Sequence, residues 1–317
     1  MSRRILVTGG AGFIGGHLVE QLLARGDDVV VLDDLSTGKR AHVPGGVELV
    51  EGDVADEAVV ERAFARGIPD AVLHVAGQAS IATSFTAPER DLRTNVQGTL
   101  AVLGACARHG VPRLLHASSM TAYGEPAAVP VHESAPCIPV SNYGVTKLAS
   151  ERYALIAGAR RDVDLAVTAL RMFNVYGERQ DLRNPYQGVL AIFIGNVLRG
   201  EPITIHSDGE QTRDFVHVHD VVDAWLRVLD EPGTHGRALN VGSGIETSIK
   251  ALAHAVVAAC TGSPEAAWDI RTGPAQLGDQ RRSAADIGAI RELTGWAPQV
   301  PLGEGVQRTV AWARGAA

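Results

Sequence analysis

The chain has 317 residues, 45% of them hydrophobic and 21% charged, with a net charge of -7. That describes a globular protein with a sizeable core, built as one large α/β domain or two coupled ones. An acidic balance without a basic block argues against nucleic-acid or membrane-surface binding, and three dispersed cysteines (Cys106, Cys137, Cys260) argue against a disulfide or zinc framework and suit a reducing compartment.

In chain order, the opening apolar run at 5–7 is too short for a signal-peptide core. No apolar stretch reaches the about 18 residues of a membrane span. The expected compartment is the cytoplasm. Near-continuous apolar runs at 4–8, 28–33, 47–52, 71–76 and 113–118 read as strands buried on both faces. Amphipathic stretches at 13–26, 56–67 and 91–110 alternate with them, with Gly26 and Gly67 as C-cap candidates. A further helix over 143–160 and a strand over 165–171 complete a doubly wound parallel sheet of Rossmann type. After residue 172 the loops lengthen and the elements shorten. The expected division is a dinucleotide-binding domain at 1–172 and a smaller α/β substrate lobe at 173–317, with the chain free to cross between them.

The stretch "VTGGAGFIGG" follows the first strand and opens the first helix. It satisfies Gly-x-Gly-x-x-Gly through Gly10, Gly12 and Gly15, and Gly-x-x-Gly-x-x-Gly through Gly9, Gly12 and Gly15. Glycine is needed where a pyrophosphate must approach the backbone, and the helix N-terminus offers free N–H groups to the phosphates. Asp33, at the end of the second strand, is placed for the adenosine ribose hydroxyls, and its charge would repel a 2′-phosphate, so NAD is expected over NADP. Asp53 is placed either for an adenine contact or as a helix N-cap.

The stretch "SNYGVTK" sets Tyr143 four residues before Lys147. With 5 tyrosines and 3 lysines in the chain, chance would supply roughly 0.05 such pairs. Together with "TGGAGFIG", "LDDLSTGK", "NVQGTL", "ASSMTAYG", "RMFNVYG", "GEQTRDFVHVHD" and "NVGSG", it resembles the extended short-chain dehydrogenase/reductase family, in its nucleotide-sugar epimerase and dehydratase group. The resemblance spans nearly the whole chain and is nearest to the UDP-hexose 4-epimerases. It implies that Tyr143 and Lys147 are catalytic with a hydroxyl from Ser119, or from Ser118 beside it. It also implies that Gly9, Gly12, Phe13, Ile14, Gly15, Asp33, Asp34, Asp53, Val54, Ala76, Asn95, Tyr143 and Lys147 hold NAD, and that Asn174, Val189, Arg213 and Ser283 contact a UDP-sugar.

Tyr143 and Lys147 share a helix face. A phenol serving as base at neutral pH needs its pKa lowered by roughly 3 units, about 4 kcal/mol. An ammonium about 4 Å away, at an effective dielectric near 20, supplies on the order of that amount. Related dehydratases carry an Asp-Glu pair where this chain has Met120 and Thr121, and methionine can neither donate nor accept the proton an elimination requires. Epimerisation at C4 through a transient ketone is therefore expected, with NAD tightly held.

Arg213 suits a pyrophosphate, or an ion pair with Asp214 or Asp220. Asn174 is a sugar contact or an asparagine satisfied in a turn. Where relatives place a second phosphate-binding arginine this chain has Gln276, with Arg281 and Arg282 nearby. By the same resemblance Ser283 falls at the position facing the sugar 2-substituent, where a small residue would leave room for an N-acetyl group. Asp181 would repel a glucuronate carboxylate, although Arg183 lies close in sequence. No metal site is expected: successive residues of a strand face opposite ways, and Asp220 reads as the cap of the following helix. His74 and His116 read as core histidines. By the same resemblance the protein is a homodimer through the helices at about 91–108 and 144–157.

Overall fold

The computed structural model describes residues 2–65, 67–184, 188–275 and 280–315. The β-branched runs become strands β1 Arg4–Thr8, β2 Asp28–Asp33, β3 Glu48–Glu51, β4 Ala71–His74, β5 Arg113–Ser119 and β6 Ala166–Met172. Shorter strands follow as β7 Asn174–Tyr176, β8 Ile203–His206, β9 Thr212–Arg213, β10 Phe215–His217, β11 Arg237–Val241, β12 Thr247–Ser248 and β13 Ile270–Gly273. Between them run helices α1 Phe13–Ala24, α2 Glu57–Phe64, α3 Ile81–Thr86, α4 Pro88–Leu92, α5 Gly98–His109 and α6 Asn142–Gly158. The remaining helices are α7 Val189–Arg199, α8 Val218–Asp230, α9 Ile249–Thr261, α10 Gly288–Thr294 and α11 Leu302–Gly315.

Among the described residues, seven strands form one sheet in the order β11-β6-β5-β4-β1-β2-β3. Pairing from β3 through β5 is parallel. Ile5, Leu6, Val7, Val31, Leu32, Val72 and Leu73 are buried, because helices cover both faces and leave no polar side to alternate with. Strand order reverses beside β1: the chain runs outward to β3 and resumes at β4 on the other side. The carboxyl ends of β1 and β4 therefore flank the switch point, where open α/β sheets bind ligands.

Contacts divide the chain into two units. The first comprises residues 1–122, 139–171 and 222–239, and the second 123–138, 172–221 and 240–317. A single cut at 172 does not separate them, since α8 begins in the second unit and ends in the first. The core of the first unit is built from Leu6, Val30, Leu32, Val60, Val72, Val102, Leu114 and Val167. That of the second gathers Leu190, Phe193, Ile203, Leu252, Val256 and Val306.

The helix expected over 91–110 is three pieces: α4, a π turn over Arg93–Gln97, and α5. Gly26 lies one residue beyond the Arg25 C-cap at φ +83°, the left-handed position that favours glycine. Gly67 does not cap α2, whose C-cap is Ala65. No helix among the described residues is long and apolar enough to cross a membrane.

Candidate active site

At the end of β1 the backbone turns at Gly9 with φ +71°. A Cβ there would sit 2.7 Å from the Ala76 nitrogen, so the two strand ends meet at a separation only glycine allows. At Gly15 a Cβ would overlap the Gly9 carbonyl oxygen, 2.0 Å away. Gly12 is the N-cap of α1 and has no side chain to accept its first-turn N–H groups. Those donors and the positive helix end make an anion cradle, from which Phe13 and Ile14 start the helix, both half-buried. Asp33, buried at the end of β2, accepts from Ala11 N (2.9 Å) and Leu35 N (2.8 Å), which orients its carboxylate at the cradle. Burial pushes its pKa up, against those two hydrogen bonds. Asp34 is exposed and accepts from Ser36 N.

Asp53 is not the cap of α2; Asp56 is, accepting from Ala58 N. Asp53 instead accepts from Ala55 N and pairs with Arg93 at 2.9 Å. Val54 is buried, and a Cβ on Gly98 would meet it at 2.6 Å. Asn95, in the π turn and 2% exposed, receives Gln78 N on Oδ1 and donates through Nδ2 to Asp91 and Thr146.

Helix α6 starts at Ser141, whose hydroxyl accepts from Gly144 N. Its second residue, Tyr143, is buried, and its phenol hydrogen-bonds with the Ser119 side chain. Ser119 Oγ also accepts from Thr121 N (3.2 Å) and Thr121 Oγ1 (2.9 Å). Ser118 points the other way, because successive strand residues alternate. It donates to Glu151 Oε2 at 2.6 Å, and Glu151 forms a buried two-pronged pair with Arg171. Ser118 is thus a structural hydroxyl and Ser119 the partner of the tyrosine.

Lys147 is buried, and its Nζ donates to the Ala117 carbonyl at 2.9 Å. Burial pulls its pKa down to about 8, with Asp91 opposing. Burial pushes the Tyr143 phenol up to about 12, against the Ser119 hydrogen bond that lowers it. Burial is the largest influence on both groups and opposes the charged form of each. His74 and His116 are core histidines. His74 contacts the Thr8 and Thr99 hydroxyls and His116 that of Ser150.

In the second unit Asn174 lies on β7, with its Oδ1 buried and without a hydrogen-bond partner. An orphaned acceptor of that kind suits a ligand donor better than a satisfied turn. Arg213 is buried and donates to the Thr212 and Gln280 carbonyls at 2.6 and 2.7 Å. The two carboxylates near it in sequence are committed elsewhere: Asp214 to Ser243, Gly244 and Ala285, and Asp220 to Gln299 N and Val300 N. Asp220 thus ties down a distant segment instead of capping α8. Ser283 is buried, and Val189 opens α7 against the second core. Arg281 pairs with Asp208 and Arg282 with Glu246, both on the surface. Gln276 lies outside the described residues.

His217 closes β10 and His219 lies in the first turn of α8. Their rings meet at 5.0 Å, with Glu178 Oε2 3.2 Å from His217 Nε2. His217 Nδ1 accepts the His219 N–H at 3.3 Å. The group is an imidazole–carboxylate pair that holds Glu178 down to about 2 against its burial. Glu178, His217 and His219 bring one ligand atom each within 4.8 Å of one another, a spacing compatible with a metal ion.

Residues 5–242 match the model of the NAD dependent epimerase/dehydratase family. This chain belongs to that family. The UDP-glucose 4-epimerase of Mycolicibacterium smegmatis is 40% identical over 317 residues, 98% of each chain. The structure of the UDP-glucose 4-epimerase of Thermotoga maritima with UDP-glucose superposes with a TM-score of 0.92 at 38% identity, over 99% of each chain. The Thermus thermophilus UDP-glucose 4-epimerase in complex with NAD gives 0.91 at 40% identity, over 99% of this chain and 100% of the other.

Within this family site, sequence reasoning missed Thr121 as the partner of Ser119, and the cluster of Asp91, Gln78 and Thr146 beside Lys147. The threonine was legible, standing two residues from Ser119 across a strand end. The cluster was not, because its members come from separate segments of the chain.

Proposed function

We propose that this chain is an NAD-dependent UDP-hexose 4-epimerase, interconverting UDP-glucose and UDP-galactose through a transient 4-keto sugar, with room for the N-acetylated pair at Ser283. The observation that carries the reading is the Tyr143–Ser119 hydrogen bond, with buried Lys147 one helical turn on, in the unit that bears the glycine cradle. Gly9, Gly12 and Gly15 would receive the pyrophosphate, Asp33 the adenosine ribose, and Lys147 the nicotinamide ribose. Bound NAD would supply a positive charge and a reversible hydride acceptor for the sugar C4. Tyr143 takes the C4 hydroxyl proton and gives it back, Ser119 holds the phenol and the sugar oxygen in line, and Lys147 stabilises the phenolate.

Dehydration is disfavoured here. Met120 carries no proton, and the Thr121 hydroxyl is spent on Ser119. Arg213 and Asn174 are the proposed contacts to the UDP moiety. Asp181, which binds Arg183 N, leaves a negative charge where a glucuronate carboxylate would need a positive one. We further propose a dimer of two copies: Leu92, Leu100, Val145, Tyr153 and Ile156 are 49, 42, 52, 48 and 64% exposed on α4, α5 and α6, more apolar surface than a monomer has use for. The cytoplasm is the proposed compartment, in keeping with free Cys106, Cys137 and Cys260. Incubation with UDP-glucose, UDP-GlcNAc and UDP-glucuronate separately, followed by NMR, should give the C4 epimer of a neutral hexose. Conversion of none, or loss of water, rejects the reading.

A further inference from the structure

Asp91 is fully buried, yet no cation forms a salt bridge to it among the described residues. Its carboxylate accepts from Thr146 Oγ1 at 2.6 Å, Gln78 Nε2 at 2.7 Å and Asn95 Nδ2 at 3.1 Å. Both amides are pinned with their NH2 groups toward it, because Gln78 Oε1 takes Ser80 N and Asn95 Oδ1 takes Gln78 N. Burial raises its pKa, with the Thr146 and Gln78 hydrogen bonds and the Lys147 charge opposing. Two of these donors, Thr146 and Asn95, lie near Lys147. Thr146 precedes it on α6, and a Cβ on Gly77, next to Gln78, would lie 3.0 Å from both Asn95 Oδ1 and Lys147 Nζ.

We infer that Asp91 is a positioning residue: a buried carboxylate that keeps Lys147 charged beside Tyr143 and fixes Thr146 and Asn95 around the pair. The inference rests on reading Tyr143 and Lys147 as the proton-handling couple. The titratable groups facing Lys147 are Asp91 on α4, Tyr143 on α6, His74 on β4 and His116 on β5. Both histidines stay neutral, His74 pulled down to about 3 and His116 well below its usual value by burial. Among the charges facing the lysine, Asp91 alone raises its pKa, and the same charge raises that of Tyr143. Removing the charge therefore moves both ionisations the same way, toward acid.

The test is the pH profile of kcat and KM for purified holoenzyme, beside tyrosinate absorbance titrated against the Tyr143→Phe variant. Asp91→Asn should shift both limbs and the Tyr143 titration to lower pH by about one unit, the size of one partly screened charge. Asp91→Glu, which keeps the charge, should leave the limbs in place even if kcat falls. Asp91→Ser, which also removes the charge while keeping a short polar side chain, should give the same acid shift, and it decides the matter if Asp91→Asn does not fold. Limbs that stay put in Asp91→Asn or Asp91→Ser, with only thermal stability reduced, overturn the inference. The absorbance reads the Tyr143 ionisation without turnover, so an enzyme that epimerises none of the sugars would reject the proposed function and leave this test standing.

Discussion

Replacing Gly9 with alanine isolates the close approach of β1 and β4 that forms the cradle. The new Cβ would lie 2.7 Å from Ala76 N, 2.8 Å from Ala76 Cα and 3.1 Å from Val75 C, all backbone atoms that cannot swing aside. The left-handed φ of +71° costs alanine about 1–2 kcal/mol. Forcing two strand ends apart in a packed sheet adds about 1–3 kcal/mol. Gly26→Ala supplies the control. Its φ is +83°, but a Cβ there meets nothing within 4 Å, so only the backbone term of about 1–2 kcal/mol applies. Urea unfolding of both variants should place Gly9→Ala below Gly26→Ala. NAD content, read enzymatically on denatured supernatant, should fall in the former and match wild type in the latter. Equal stability and equal NAD in both would show that the Gly9–Ala76 contact neither constrains the sheet nor shapes a phosphate site.

Ser119→Ala should lower kcat by roughly 10²-fold or more while the fold persists, since it removes a partner of the acting acid–base. Ser118→Ala should leave kcat near wild type and cost about 1.5–3 kcal/mol in denaturant unfolding, the worth of a hydrogen bond to buried Glu151; a reversed pattern would reassign the two serines. His74 titrates near 6.5 unfolded and about 3 folded, so between those values the unfolded chain binds more protons. Its contribution is complete above about 6.5 and fades as pH falls, at up to about 1.4 kcal/mol per pH unit. A His74→Gln variant should lose that slope in stability measured against pH. Ile156→Glu with Tyr153→Glu should halve the mass seen by sedimentation equilibrium if the exposed stripe joins two copies. An unchanged mass would move the interface elsewhere.

What the sequence determined by itself was local. Strands β1 and β2 ended where their β-branched runs ended, because a strand buried on both faces must be apolar throughout. The glycine spacing was fixed by one turn, and the Tyr143–Lys147 spacing by one helical period, geometries that need no distant partner. Tertiary structure decided everything set by which segments meet. It turned Ser119 rather than Ser118 toward the tyrosine, gave Asp53 to Arg93 and Asp220 to Gln299 and Val300, and brought Glu178 to His217. It also set the environment of the site, by burying Tyr143 and Lys147 so that desolvation is the largest influence on each. Periodicity is carried by the backbone a few residues at a time. Burial and partner choice depend on atoms tens of residues away, so they become visible only when the chain has closed on itself.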